Sequence, residues 1–407
     1  MNLYIFNQTR RGSVFGIGTY IRELTAALKD CSINVCVVNL ISEKLQIQKE
    51  QVDGIEYWYY PLAIYEQRTK SNQEQWELYY RNVVYLLRLH IKNKEGLLFQ
   101  LNFSEGGMLT EELKKIFDCR IIAVSHFFDW GFTVYDNPQR LRHILKKKNP
   151  DNLEEKLRKS VEEEVLYYSK VDHVICLSNY MKDILCQYYG INLTKMSVIP
   201  NGMYDVAYAR NNIDYLREKW NIPPEEKIII YAGRIDKVKG IIYLIKAFRL
   251  LLEMNKNCRL LIVGSGDYDM CLGESKDICS KISYTGLLEK QDLFELYQIA
   301  DIGVIPSLFE PFGYVAVEMM MHELPIIVTA TSGLNEVVDD ACGFKIPLNI
   351  QSDSVGIDVS LLSEKILYLL EHPSEARQIG INGRKRYLDN YSSEIFCENM
   401  IRIYKSV

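Results

Sequence analysis

Short apolar runs, separated by segments of helical period, recur along almost the whole chain. Residues 3–6, 35–40, 97–100, 121–124, 174–177 and 197–199 form one series, and residues 228–231, 259–263, 302–305 and 326–328 form a second. Between many of them, apolar residues fall three or four apart, as in 19–28, 180–188, 241–252 and 291–299, and this spacing predicts amphipathic helices. A strand that is apolar at every position is buried on both faces. The alternation therefore predicts an α/β protein with doubly wound parallel sheets. The series pauses between Ile199 and Ile228, where Pro200-Asn201-Gly202, Asn211-Asn212 and Pro223-Pro224 interrupt it. A boundary there gives a first domain over 1–203, a second over 204–385, and a last helix over 386–407 that crosses back to the first. The stretch LNIQSDSVGIDV (348–359) has little helical period and reads as a surface loop. With no repeat of 20 to 50 residues, a solenoid is excluded.

A length of 407 residues agrees with two domains. Lys and Arg number 48 against 53 Asp and Glu, a net charge of −5, so no global positive field points to a nucleic-acid partner. Any anion must be held by local groups. No stretch approaches 18 uninterrupted apolar residues, and Arg10-Arg11 is followed by glycines instead of an apolar run, so the expected location is the cytoplasm. The ten cysteines are scattered without a C-x-x-C pair, and several sit in apolar runs, as Cys36 and Cys176 do; they read as buried thiols in a reducing compartment. Lys146-Lys147-Lys148 and Glu162-Glu163-Glu164 read as solvated helix faces. From Arg140 to Lys159 eight basic residues meet three acidic ones, which makes either solvated helix faces or a patch for anionic lipid and peripheral membrane contact. The aromatic run Trp58, Tyr59, Tyr60, Tyr65, Trp76, Tyr79, Tyr80 is either core and edge packing or a stacking surface for an acceptor.

Two strand–loop–helix connections carry candidate chemistry. GRIDKVKG (233–240) follows the strand IIIYA and precedes the helix IIYLIKAF. Such a connection places Arg234, Lys239 and free helix-end amides at the carboxyl edge of a sheet, which suits a phosphate group, although a basic solvated loop has the same appearance. IPSLFEPFGYVAVEMM (305–320) is again strand, loop and helix, with Glu310 in the loop, Gly313 at the helix start and Glu318 inside the helix. Two carboxylates that bracket a helix N-terminus can accept from hydroxyls while the amides hold phosphate, a combination for a sugar diphosphate. Taken singly, each carboxylate is equally an exposed surface residue. Gly264-Ser265-Gly266 lacks the third glycine of a dinucleotide motif, and Asp267-x-Asp269 after it fits a helix start better than a metal site.

Together these segments resemble the family 4 glycosyltransferases of the GT-B fold, whose C-terminal half carries G-R-x4-K-G and then E-x7-E. Here the pattern is Gly233-Arg234-x4-Lys239-Gly240 and Glu310-x7-Glu318. The resemblance runs over nearly the whole chain, through GSVFGIGTYIREL (Gly12, Gly16, Gly18), SHFFDW around His126, LSNY at Ser178, IPNG at Pro200, VGSGD at Gly264, SYTGLL at Gly286 and ADIGVIPS from Ala300. The opening also looks like a Bacteroidota subgroup associated with clusters for modified peptides. Two departures stand out. Leu324 replaces the usual glycine before Pro325, and the later G-G-x-x-E is Ser332-Gly333-Leu334-Asn335-Glu336.

The resemblance implies two Rossmann-like domains facing a cleft and a metal-independent, retaining transfer of a sugar. The donor is a nucleotide sugar, UDP more than GDP or ADP, used as substrate with no cofactor and no metal. The acceptor is a hydroxyl of a glycan, a lipid or a peptide. It further implies that Arg234 and Lys239 stabilise the leaving diphosphate, Glu318 holds ribose hydroxyls and Glu310 sugar hydroxyls. Backbone at Phe312, Gly313 and Tyr314 touches phosphate or sugar, Gly16 and Gly18 cover the diphosphate, Gly233, Gly264 and Gly286 line the donor site, and His126 lines the cleft. A nucleotide-sugar epimerase of the same fold and a non-catalytic nucleotide-sugar binder are the competing readings.

Overall fold

The computed structural model describes residues 1–8, 16–62, 72–206, 212–352 and 354–407. Gly12, Arg10-Arg11, Tyr65 and Asn211, singled out in the sequence, lie outside these. The chain forms two compact units. The first comprises Met1–Asp129, Ile144–Tyr204 and Ser393–Val407; the second comprises Trp130–His143 and Asp205–Ser392. The first unit is therefore not an unbroken 1–203, because a piece of chain from its middle belongs to the second.

The sheet of the first unit contains β1 (Asn2–Gln8), β2 (Asn34–Ser42), β3 (Gln48–Val52), β4 (Ile55–Pro61), β5 (Leu97–Leu101), β6 (Cys119–Ser125), β7 (His173–Cys176) and β8 (Met196–Val198). Their order is β3-β4-β2-β1-β5-β6-β7-β8, parallel except at β3–β4. The chain runs outward from β1 through β2 to β4, then returns to the other side of β1 to form β5. The switch point, where open α/β sheets bind ligands, thus lies between β1 and β5.

β3 and β4 form a hairpin that the sequence reading missed. Asp53 and Gly54 turn it with φ of 51° and 83°, the left-handed pair a two-residue hairpin turn requires. Most of the aromatic run is core. Trp58 and Tyr60 in β4, with Tyr79 and Tyr80 in the helix Asn72–His90, are buried. The C-terminal helix Ser393–Ser406 packs on the helix Gly16–Leu28, with the Tyr20 and Phe396 rings 5.7 Å apart, and Tyr404 donates to Gln100 Oε1 at 2.5 Å.

The second sheet contains β9 (Lys227–Ala232), β10 (Cys258–Val263), β11 (Ile282–Gly286), β12 (Ile302–Ile305), β13 (Ile326–Thr329) and β14 (Gly343–Ile346), all parallel, in the order β11-β10-β9-β12-β13-β14. Its core gathers Ile229, Ile262, Val304 and Ile327 from the strands, with Ile241, Leu244 and Phe248 from the helix Ile241–Met254. Its switch point lies between β9 and β12. The stretch 348–359, expected as loop, carries a second hairpin, β15 (Leu348–Ile350) with β16 (Val355–Ile357). Alternation at Val355 and Ile357 buries both side chains, and Gln351 N–H bonds the Ser354 carbonyl across the turn.

Two further expectations change. Glu162 and Glu163 are exposed on the helix Asn152–Lys170, but Glu164, on its inner face, is 3% exposed and accepts from the Tyr189 hydroxyl. Burial pushes its carboxyl up to about 8. Among the cysteines Cys36, Cys176, Cys258, Cys271 and Cys342 are buried, whereas Cys279 is exposed and the rest are half-buried. No helix among the described residues is long and apolar enough to cross a membrane.

Candidate functional site

In the second unit the loops after β9 and β12 meet at the switch point. Leu308 N–H bonds the Val238 carbonyl at 2.7 Å, joining the two loops through their backbones. Gly240 makes this approach possible: its φ is +64°, and a Cβ there would lie 1.8 Å from the Pro306 carbonyl oxygen. The joined loops bring Lys239 Nζ to 2.6 Å from Glu310 Oε2, each side chain 18% exposed. Asp236 shapes the first loop, since one carboxylate oxygen accepts from Lys239 N–H at 2.9 Å and the other lies 3.1 Å from the Arg234 guanidinium. Ser332 shapes the second, its hydroxyl accepting from Glu310 N–H and donating to the Glu310 carbonyl, both at 3.0 Å.

Gly313, with φ of +106°, caps the helix Tyr314–Met321, whose first-turn amides point out of the helix beside Glu310. The Phe312 side chain is core, packed 5.4 Å from the Tyr314 ring and 5.9 Å from the Tyr391 ring, so only its backbone can serve a ligand. Glu318 is 1% exposed. Lys290 pairs with its Oε1, and the Tyr297 hydroxyl donates to its Oε2 at 3.2 Å. A carboxylate so deeply buried needs such partners. Burial, reinforced by the Glu318 charge, raises the Tyr297 hydroxyl far above the ordinary tyrosine range and keeps it a donor.

Gly233, Gly264 and Gly286 end the adjacent strands β9, β10 and β11. A Cβ on Gly264 would lie 1.8 Å from the Gly233 carbonyl oxygen, so these strand ends touch through backbone alone. Asp267 caps the helix Tyr268–Glu274, accepting from Met270 N–H at 3.2 Å. The helix-start role read from the sequence is what the geometry shows.

The chain segment 130–143 supplies residues the sequence reading missed. Asp136 Oδ2 accepts from Ser332 N–H and from the Thr331 hydroxyl, each at 2.9 Å, and so fixes the residue that holds Glu310. Phe132 packs edge-on to Phe309 at 5.1 Å and lies 6.0 Å from the Arg234 guanidinium. The motif SHFFDW marks where this segment starts, but nothing in it announces which unit it joins. Lys290 and Tyr297 were also missed; only their place in a helix facing Glu318 reveals them.

In the first unit Gly16 and Gly18 open the helix that follows β1, and His126 follows β6. His126 Nε2 lies 3.1 Å from Asn102 Oδ1, and its ring meets Tyr20 edge-on at 4.8 Å. The Asn102 amide is oriented by its Nδ2 donating to the Phe6 carbonyl, so Oδ1 accepts and His126 carries its proton on Nε2. Nδ1 is then an acceptor. Burial pushes the His126 pKa down to about 3, so the ring is neutral at neutral pH.

Two Rossmann-like parallel units, with basic and acidic strand-end loops in the second, define the GT-B class. The solved structure of sucrose-phosphate synthase from Thermosynechococcus elongatus has this fold, covering 100% of this chain and 98% of its own with a TM-score of 0.78 at 20% identity. Anabaena HepE in complex with UDP-glucose has it too, covering 100% of both chains with a TM-score of 0.74 at 16% identity. Residues 14–204 match the family described as Glycosyltransferase Family 4 and residues 212–386 the one described as Glycosyl transferases group 1. The chain belongs to the family 4 glycosyltransferases. An uncharacterised glycosyltransferase of Methanocaldococcus jannaschii is 30% identical over 244 residues, 57% of this chain and 59% of that protein. The chain spans between about half and three-fifths of the length of the first curated relatives it matches.

Proposed function

We propose that the protein transfers a sugar from a UDP-sugar to a hydroxyl of a glycan, lipid-linked glycan or peptide, with retention of anomeric configuration. The observation that carries this reading is the Lys239–Glu310 pair, held at a switch point beside Arg234 and a helix N-terminus. Breaking the bond between the anomeric carbon and the diphosphate sends an electron pair to a phosphate oxygen. Arg234, Lys239 and the amides after Gly313 stabilise that oxygen where its charge develops. Glu310 accepts from sugar hydroxyls and Glu318 from ribose hydroxyls. The acceptor oxygen bonds the anomeric carbon from the face the diphosphate leaves, and its proton passes to the departing phosphate, so no side-chain nucleophile takes part. A neutral His126 offers Nδ1 as acceptor to a hydroxyl; with its pKa pushed to about 3 it is a weak base. The HepE complex with UDP-glucose supports the choice of UDP.

The test is a thermal-shift panel of UDP, GDP, ADP and NAD, followed by product analysis with the matching nucleotide sugar. A ligand at 100 times its dissociation constant adds about 2.7 kcal/mol of stability. Stabilisation by UDP alone, with transfer to an added acceptor, is expected. Stabilisation by NAD alone, or an epimerised donor as the only product, would remove this function.

A further inference from the structure

The first unit holds a cavity of about 740 Å³ that none of the residues assigned above touches. It sits at the carboxyl ends of β2 and β4, two strands out from the switch point, on the sheet edge where α/β proteins bind ligands. Its wall is largely apolar, with Ile41, Leu45, Leu62, Val83, Tyr85 and Leu86 contributing. The volume and lining are those of a small-molecule site.

The backbone at this cavity is strained. Ile41 has φ of +55°, a left-handed conformation that is an outlier for a β-branched residue, and the β2–β4 register shifts at the same point. Tyr79 holds it there: its hydroxyl accepts from Ile41 N–H at 2.8 Å and donates to the Tyr60 carbonyl at 3.1 Å. Strain fixed in this way concentrates at functional sites.

The surroundings select the occupant. Leu45 is 99% exposed, and Ile47 and Tyr85 are exposed at the cavity. Tyr85 shares one face of the helix Asn72–His90 with Arg81, Arg88 and Leu89, all exposed, at helical spacing. Lys44, the basic residue in the lining, already pairs with Glu50 at 3.0 Å, and Glu43 adds an exposed carboxylate at the rim; on the adjoining helix face Arg81 lies 3.6 Å from Glu112, while Arg88 stands exposed beside Leu89. An apolar pocket beside the exposed Arg88 is complementary to a hydrocarbon chain whose anionic head lies on the arginine, away from Glu43.

We propose that this cavity takes the hydrocarbon chain of a lipid-linked acceptor, with the lipid phosphate against Arg88. The proposal rests on the transferase reading for its meaning, but its site lies wholly within the first unit and is tested separately.

Full-length protein is titrated with dodecyl phosphate and butyl phosphate by calorimetry, below the micellar range. Each buried CH2 is worth about fourfold in affinity, so dodecyl phosphate is expected to bind at least about 100-fold tighter than butyl phosphate. Leu45→Asp and Tyr85→Asp, both at exposed positions, are expected to weaken dodecyl phosphate at least about 10-fold, and Arg88→Glu about threefold or more, with the UDP thermal shift unchanged. Equal binding of the two phosphates, or wild-type affinity in both Asp variants, overturns the proposal. So does tighter binding of an apolar peptide than of dodecyl phosphate, which assigns the cavity to a peptide, or dimerisation abolished by Leu45→Asp, which assigns it to a second copy. Loss of the UDP shift in wild-type protein would instead remove the donor reading and leave this result standing.

Discussion

Replacing Lys239 with methionine tests the site at its centre. The side chain keeps its length and apolar stem but loses the ammonium that lies 2.6 Å from Glu310. Both partners are only 18% exposed, so the remaining carboxylate is left largely out of water without its cation. A stability loss of about 1–3 kcal/mol is expected from the orphaned acceptor, read as a fall of roughly 2–4 °C in Tm for each kcal/mol in a unit of this size. In the chemical step the loss is larger, because a preorganised charge has been removed from the departing phosphate: kcat is expected to fall by about 10² to 10³. Adding Glu310→Gln to Lys239→Met is expected to recover part of the stability and none of the turnover, since the stability term belongs to the pair and the catalytic term to the cation. The assays are thermal unfolding and initial rates of UDP release with acceptor present. A folded Lys239→Met protein that still binds UDP and keeps kcat within about threefold of wild type contradicts the expected loss and refutes the leaving-group assignment.

Transfer is expected to continue in excess EDTA, because in the proposed site Arg234, Lys239 and the amides after Gly313 would take the charge of the diphosphate; complete loss restored by manganese would redirect attention to Asp267 and Asp269. His126 has a folded pKa of about 3, below its unfolded value near 6.5, so it contributes stability that is present above pH 6.5 and lost as pH falls toward 3. The slope is at most about 1.4 kcal/mol per pH unit, and His126→Gln is expected to flatten it in urea titrations at pH 7, 6 and 5; parallel curves count against a neutral ring. Glu164 is the opposite case. Burial first, and the Asp129 and Glu105 charges with it, raise its carboxyl to about 8 against the lowering bond from Tyr189. Its contribution is therefore complete below the unfolded value near 4.5 and lost as pH rises through 8, so Glu164→Gln is expected to raise Tm relative to wild type at pH 8.5, and an unchanged or lower Tm there would show the carboxylate to be well solvated.

The ten strands named from apolar runs all exist, because a strand buried on both faces carries its own signal in consecutive Ile, Val and Leu. The strands that went unread lack it. β3 is Gln-Lys-Glu-Gln-Val, largely exposed, and exists because β4 offers it a partner; the Asp53-Gly54 turn was the one local cue. β11 and β14 are short edge strands at the two ends of their sheet, with polar or glycine positions among the apolar ones. The site was legible in part. Arg234, Lys239, Glu310 and Glu318 stood out because each lies at a fixed offset from a strand–loop–helix junction. Asp136 and Lys290 did not. Asp136 is some two hundred residues from Ser332 in sequence, and Lys290 is 28 from Glu318, distances that only folding closes.

The ion pairs give the site its character. Lys239 with Glu310, Arg234 with Asp236 and Lys290 with Glu318 set a carboxylate beside every cation of the proposed donor site. A cation bound to a fixed carboxylate is aimed without water having to reorganise around it, which is the condition under which charge stabilisation is strongest. In the proposed reaction an arriving diphosphate would compete with that carboxylate for the same cation, and the carboxylate would then be free to accept from a sugar hydroxyl. On this view Glu310 has two roles that are exchanged on binding, holding Lys239 in place and then receiving the donor's hydroxyls. Glu310→Gln can still meet the second role with its amide oxygen but cannot hold the ammonium as an ion pair. Its defect should therefore appear more in kcat than in KM for the nucleotide sugar, whereas a residue that only gripped the sugar would show the reverse.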